Sequence, residues 1–252
     1  MKRTRILLLL VIAASMPAQL GFAQGGSDGP WQNNVFVYGW AAGVTGTTQL
    51  GTREIPVDVK FGDILDNLQA GFMGHYRGAS ERFSFVADLI YLDLGKSREG
   101  RVLQRADLRQ VLVDLTGAYR FSPVVEAFAG IRITDVETKV KLGLPSFPEL
   151  GTIERGDSKT FYDPIVGARL LTPLDENRRW WVQAQADIGG FDVGTKLTWQ
   201  AAGNAGFRVT DWFSLWGGYR ALGMDFENLG AREQYSQDVV LHGPSFGLGF
   251  HF

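Results

Sequence analysis

The 252-residue chain has no cysteine, three histidines and nine prolines, and neither sign of charge prevails. Without cysteine there is no disulfide-stapled scaffold, no thiolate metal site and no cysteine nucleophile. Its 25 Lys+Arg stand against 27 Asp+Glu. That balance lacks the basic face a nucleic-acid partner demands, and no such partner is expected. After residue 24 no apolar run approaches the ~18 residues that a membrane-spanning helix needs. Glycine, by contrast, is plentiful at 32 residues, nearly twice its usual share of ~7% and without a collagen-like period. Aromatics are plentiful too, with 17 Phe, 7 Tyr and 7 Trp.

The N-terminus carries an address. Lys2, Arg3 and Arg5 form a basic start, Ile6 to Ala14 an apolar stretch, and Gly21-Phe-Ala23 offers small residues for cleavage. Residues 1–23 therefore read as a cleaved secretory signal peptide. A spanning helix needs roughly 20 apolar residues, and Ser15, Pro17 and Gln19 break this run too early. Residues 24–34 are expected to form a short segment ahead of the folded part, which runs over 35–252. Removing the leader leaves 22 basic against 27 acidic residues.

Past Trp31 the chain alternates with a period of two, the mark of strands. Leu197, Trp199, Ala201, Gly203, Ala205 and Phe207 occupy one parity, with Thr198, Gln200, Asn204 and Arg208 on the other. Near the end, Phe246, Leu248, Phe250 and Phe252 alternate with Ser245, Gly247, Gly249 and His251. Successive strand side chains face opposite ways, so each segment has an apolar and a polar face. Turn-forming clusters divide the chain into about ten strands: 35–50, 68–78, 82–95, 104–121, 123–142, 159–172, 178–191, 195–209, 211–227 and 238–252. Alternate connections are tight and most of the others long, the asymmetry of a membrane barrel. Gly190-Phe-Asp-Val-Gly194 is the exception, a short turn on the long side.

The aromatics provide an independent ruler. Tyr76, Phe83, Phe85, Tyr119, Phe121, Trp180, Phe207, Phe213, Phe250 and Phe252 cluster on the apolar parity near the tight turns, and Tyr91, Tyr162 and Trp199 lie further along. Phe83 to Tyr91 and Trp199 to Phe207 each span eight residues. At ~3.3 Å per residue and ~40° tilt, that climbs about 20 Å, close to the ~25 Å apolar band of outer-membrane barrels. The fold class expected is all-β: a transmembrane antiparallel up-and-down β-barrel of about ten strands, with eight to twelve compatible.

The leader, the alternating strands and the terminal Gly-Leu-Gly-Phe-His-Phe252 resemble the small outer-membrane β-barrel proteins of Gram-negative bacteria. Asp163-Pro-Ile-Val-Gly-Ala-Arg169, Asp187-Ile-Gly-Gly-Phe-Asp-Val-Gly194, Leu197-Thr-Trp-Gln200 and Gly218-Tyr-Arg220 resemble porin-like members without an assigned activity. The resemblance covers roughly 31–252. It implies location in the cell outer membrane, Phe252 as an assembly signal, and, as partners, outer-membrane lipid, lipopolysaccharide and the barrel-assembly machinery. It implies no cofactor and leaves the oligomeric state open.

With lipid on the aromatic face, the polar face lines the lumen. It carries Arg77, Asp88, Asp114, Arg120, Arg132, Asp163, Arg169, Asp187, Arg208 and Arg220, with His75, Glu126 and Lys196 beside them. Gly-X-Arg recurs at Gly130/Arg132, Gly167/Arg169, Gly206/Arg208 and Gly218/Arg220, where the glycine is expected to let its arginine lie flat towards a carboxylate. Arg77, Arg120, Arg169 and Arg208 sit near tight turns and suit a basic, anion-selecting constriction. The opposing reading is a packed interior of Arg–Asp pairs, because buried charges must be paired and narrow barrels are filled by side chains. Asp88 and Asp114 on adjacent strands resemble an acid pair, but Arg77 or Arg132 nearby favours an ion pair.

The functions in view are thus a narrow porin-like channel or a structural envelope component. The alternatives are a surface-interaction barrel working through the loops at 51–67 and 143–158, or an outer-rim lipid- or peptide-modifying enzyme. Catalysis is not expected: His75 and His251 fall near tight turns, His242 faces lipid, and none joins an acid and a nucleophile. Phe61, Ile64, Leu65 and Leu68 follow helical spacing opposite Asp63 and Asp66, giving either a lid over the mouth or ordinary loop packing. Two aspartates are too few for calcium. Pro145 and Pro148 mark an exposed loop. No further domain is expected after Phe252.

Overall fold

The computed structural model describes residues 31–50, 53–97, 103–143, 152–230 and 233–252. The expected leader and the loop prolines Pro145 and Pro148 lie outside them. Twelve strands form one antiparallel sheet. They are β1 (Gln32–Trp40), β2 (Gly43–Leu50), β3 (Arg53–Val59), β4 (Leu68–Ala79), β5 (Phe83–Ser97) and β6 (Leu103–Arg120). The second half supplies β7 (Val125–Gly143), β8 (Thr152–Pro173), β9 (Trp180–Gly190), β10 (Leu197–Arg208), β11 (Phe213–Gly230) and β12 (Glu233–His251). β1 pairs with both β4 and β12, so β1 and β4 to β12 close a ten-strand barrel. Closure removes the free edges that an open sheet would expose.

The expected strand at 35–50 is two strands in one register. Trp40 pairs with Ser245 and Gly43 with His242, leaving Ala41 and Ala42 opposite Gly243 and Pro244. Pro244 has no N–H for the ladder, and this interrupts the strand from across the sheet. β1 also begins at Gln32, so the segment expected to precede the barrel is already paired over 32–34. The strand was not expected at β3. Arg53–Val59 pairs with β2 alone, and Pro56 is tolerated because it sits on an edge. The expected helical turn is α1 (Phe61–Asn67). It leads directly into β4 and touches β5 and β2.

The tight turns gather at one end of the barrel, where Asn33 and Phe252 also exchange backbone hydrogen bonds of 3.1 and 2.8 Å. At the other end the strands differ in height. β8 runs 22 residues and β7 and β12 19 each, whereas β9 has only 11 and β10 12. The β9–β10 turn is reversed by positive φ at Gly190 (89°), Phe191 (50°) and Asp192 (60°). Above this low hairpin, Phe161 of β8 reaches Phe226 of β11 with ring centroids 4.6 Å apart.

Asp163 fixes the hairpin rather than joining a lumenal arginine. Its Oδ1 accepts from the buried Thr195 N–H at 2.6 Å. Asp163→Ala strands that donor, at a cost of about 1–3 kcal/mol. Amide exchange across 191–196 should then quicken while the β6–β7 ladder stays protected; unchanged exchange at 195 would contradict the assignment.

Candidate functional site: a filled lumen

At ~4.8 Å between strands and ~40° tilt, ten strands give a backbone radius of about 10 Å. Two long side chains from opposite walls therefore meet at the axis. The interior is stacked in three layers.

The layer nearest the tight turns is built on Glu126. Its carboxylate accepts from Arg77 of β4, from Arg120 of β6 at 3.0 and 3.2 Å, from Arg169 of β8 at 3.4 Å and from Ser84 of β5 at 3.1 Å. The expected constriction is thus different in kind. Three of its four arginines converge on one glutamate, and only Arg208 stands apart, near His251. Arg169 also lies over the Phe128 ring at 5.0 Å and donates to Gln185 at 3.2 Å.

The middle layer crosses the barrel. Arg132 grips Asp114 with both Nε and Nη2 at 2.9 Å, meets Asp187 at 3.1 Å and donates to Thr198 at 3.0 Å. A two-pronged hold on a carboxylate is the strong form of this pair. Arg220 of β11 reaches Asp88 of β5 and the Tyr38 hydroxyl of β1, both at 3.1 Å. It lies over the Trp40 ring at 5.1 Å and comes within 3.9 Å of Asp114. In the circle of ten, β11 and β5 stand four places apart and β11 and β6 are opposite. His75 and Tyr38 complete the set on Asp88, at 3.1 Å and 2.9 Å. Asp88 and Asp114 are indeed cross-strand partners, but each is neutralised by an arginine. Arg132 is the nearby one, whereas Arg77 goes to Glu126.

The third layer was not foreseen. Above Asp88, Asp114 and Arg220, the inward positions of β1, β5, β6 and β11 turn apolar: Trp40, Ile90, Leu112, Leu222 and Met224 pack together, joined by Met73, Leu92, Phe226 and Leu241. Their neighbours Thr134, Thr198 and Gln200 on β7 and β10 are buried and polar. Arg132 and Leu222 are both 0% exposed. The clue was present in Val111-Leu-Val113 and Leu89-Ile-Tyr-Leu92, where both parities are apolar. Lys196, expected inside, lies at the rim 3.9 Å from Asp225.

The glycines of the Gly-X-Arg units make room for something other than their arginines. A side chain at Gly167 would strike the Phe128 ring, one at Gly206 the Trp181 ring, and one at Gly218 the Asn204 amide. At Gly130 it would meet the backbone of Leu115 and Thr116. Among the described residues, no group of three or more His, Asp and Glu is placed to hold a metal ion.

The outward face completes the picture. Phe83, Tyr119 and Phe121 form one chain of ring contacts near the tight turns, and Trp212, Phe213 and Phe250 another. Phe83 is 57% and Tyr162 54% exposed, with no protein surface covering them. The same parity changes character beyond Tyr91, Val111 and Ile133. Asp93, Arg109, Asp135, Glu137 and Lys139 follow, with Arg109 3.2 Å from Glu137 and Lys139 2.6 Å from it. An apolar girdle about 20 Å tall between charged and turn-bearing rims, around a closed wall, is a surface made for lipid. This is a β-barrel of the outer-membrane type.

No family model and no curated protein matches the chain. Among solved structures it is similar to Ail, the attachment invasion locus protein of Yersinia pestis, at 11% identity and a TM-score of 0.40, covering 88% of this chain and 99% of that one. The outer-membrane protease OmpT of Escherichia coli shows 10% identity and a TM-score of 0.44, over 88% and 97% of the two chains. Neisserial surface protein A shows 12% identity and a TM-score of 0.33, over 89% and 98%.

Proposed function

We propose that the chain is a closed structural barrel of the Gram-negative outer membrane, inserted behind a cleaved leader and filled rather than conducting. One observation carries this reading: Arg220 spans the lumen to Asp88 at 3.1 Å, directly beneath the apolar layer around Leu222. An ion crossing would have to part a desolvated ion pair and then pass the apolar cluster around Leu222. Either step costs several kcal/mol. The three histidines are occupied in ways that suit structure: His75 on Asp88, His251 between Asn34 and Ser214, and His242 on the outward Tyr219.

The test is single-channel conductance of the refolded protein in a planar bilayer, with Arg132→Ala and Arg220→Ala alongside. Wild type is expected to stay silent while migrating on gels as a heat-modifiable barrel. Discrete steps from wild type, with ion selectivity that shifts in the variants, would replace this reading with a charged channel.

A second reading has its own support. From Ile133 to Gly143, β7 continues ten residues beyond the girdle, about 25 Å at the same rise and tilt. The projecting sheet, with the β2–β3 hairpin, suits a surface that meets partners outside the cell. Shortening 53–67 should then abolish cell or matrix adhesion without disturbing the barrel, and retained adhesion would count against it.

A further inference from the structure

The filling of the lumen is lopsided. On the periplasmic side, the β4–β8 sector is occupied by the Glu126 cluster. The sector from β9 round to β1 holds a recess instead, of about 70 Å³, bounded above by Asp88 and Arg220. That is room for about five waters, or for one six-membered ring lying flat. The inward side chains around it are half-buried, so solvent reaches it from the periplasm.

Its two walls differ in chemistry. On one side Trp216 packs against Phe36 at 6.4 Å and Tyr38 at 5.7 Å, presenting aromatic surface. On the other stand the amides of Gln183, Gln185 and Asn204, with the Trp181 ring seated over Gly206. Gln183 and Arg169 both donate to the Gln185 carbonyl, at 3.4 and 3.2 Å, and the Asn204 carbonyl has no partner. The Asn204 carbonyl lies against Gly218, and the amide ends of Gln183, Gln185 and Asn204 line the recess as its donors and acceptors. The ceiling is charged but self-neutralised, since Asp88 is held by Arg220, His75 and Tyr38.

We propose that this recess binds one neutral sugar ring from the periplasm. A pyranose has an apolar C–H face for the aromatic wall and an edge of hydroxyls that both donate and accept, as amides do. A purely aromatic ligand would leave three amides unpaired in a desolvated slot, which is costly. An ion would find the ceiling charges already matched. The inference extends the structural reading by giving the barrel a contact on its inner side, and does not depend on whether the lumen conducts.

The experiment uses the full mature chain, refolded in an amine-oxide detergent because sugar-headed detergents would compete. Glucose, N-acetylglucosamine and phenol are titrated separately, followed by tryptophan fluorescence and by saturation-transfer NMR on the ligand. One of the sugars should bind saturably in the millimolar range. Gln183→Ala/Asn204→Ala should weaken it by about tenfold or more, and Trp216→Leu should weaken it similarly by another route. Trp180→Phe, on the lipid-facing side, should leave it unchanged, and gel migration establishes that each variant folds. No saturable signal from either sugar up to about 100 mM would overturn the proposal. Tighter binding of phenol than of both sugars would overturn the ligand class. Sugar binding indifferent to both sets of recess variants would place it elsewhere on the barrel, and would overturn the site.

Discussion

Arg132→Met should lower the unfolding free energy by about 3–5 kcal/mol, the cost of removing one partner from a buried ion pair. The guanidinium is fully buried and serves two carboxylates, Asp114 at 2.9 Å and Asp187 at 3.1 Å. Methionine fills much of the volume but leaves two desolvated anions, with Gln200 donating to Asp187 at 3.3 Å and Arg220 3.9 Å from Asp114. Adding Asp114→Asn and Asp187→Asn removes the orphaned charge, so the triple variant should recover most of the loss. Urea unfolding in lipid vesicles, followed by gel migration, separates the cases. A single variant within about 1 kcal/mol of wild type would mean that water solvates the carboxylates, as at an exposed pair. The middle layer would then be hydrated, and the filled lumen would fail with it.

This dependence on partners sets how much of the structure is legible in the sequence. All ten barrel strands were legible because a lipid-facing wall forces strict alternation over long stretches, and tight turns leave short, recognisable punctuation. Parity grouped Arg77, Asp88, Asp114, Arg132, Arg169 and Arg220, which are buried, together with Lys196, which lies at the rim. What parity cannot supply is who meets whom. Arg220 pairs with Asp88, 132 residues away, because closure of the ten-strand circle brings β11 within four places of β5 across the lumen; parity alone does not say which strands the circle brings together. The same limit hid the break at Ala41-Ala42, whose cause is Pro244 on the other side of the ladder. β3 was missed for a local reason. Pro56 in Arg53-Glu-Ile-Pro-Val-Asp-Val59 argues against a strand unless one knows that it lies on an edge.

The apolar layer was obscured for a subtler reason. Lipid-facing and core-facing positions are both apolar at that height, so alternation fades where the wall is greasy on both sides. A charged lumen was inferred from the half of each strand where the contrast is strong. Leu112 and Leu222 belong to the half where it is weak. The resulting interior is amphipathic along the barrel axis, and this polarity decides where a ligand can lodge. The recess lies on the polar side, beneath the apolar cluster.

Glu126→Gln tests the layer nearest the periplasm, with an effect as large as that at Arg132. Glu126 is the shared acceptor of Arg77, Arg120 and Arg169, and it is 2% exposed. Glutamine keeps the shape but removes the one negative charge that the three guanidiniums share among the described residues, so they repel one another in a low-dielectric space. The variant should lose about 3–5 kcal/mol. Part of that should return on adding sulfate or phosphate, which supplies the missing anion, and less on adding sodium chloride to the same ionic strength. Wild type keeps one carboxylate among the three guanidiniums, so it should respond to sulfate or phosphate in the same sense but less than Glu126→Gln. Equal stability of Glu126→Gln and wild type would instead mean that water screens the three arginines from one another. They would then line an open basic ring, the arrangement an anion path requires, and conductance would have to be sought there first.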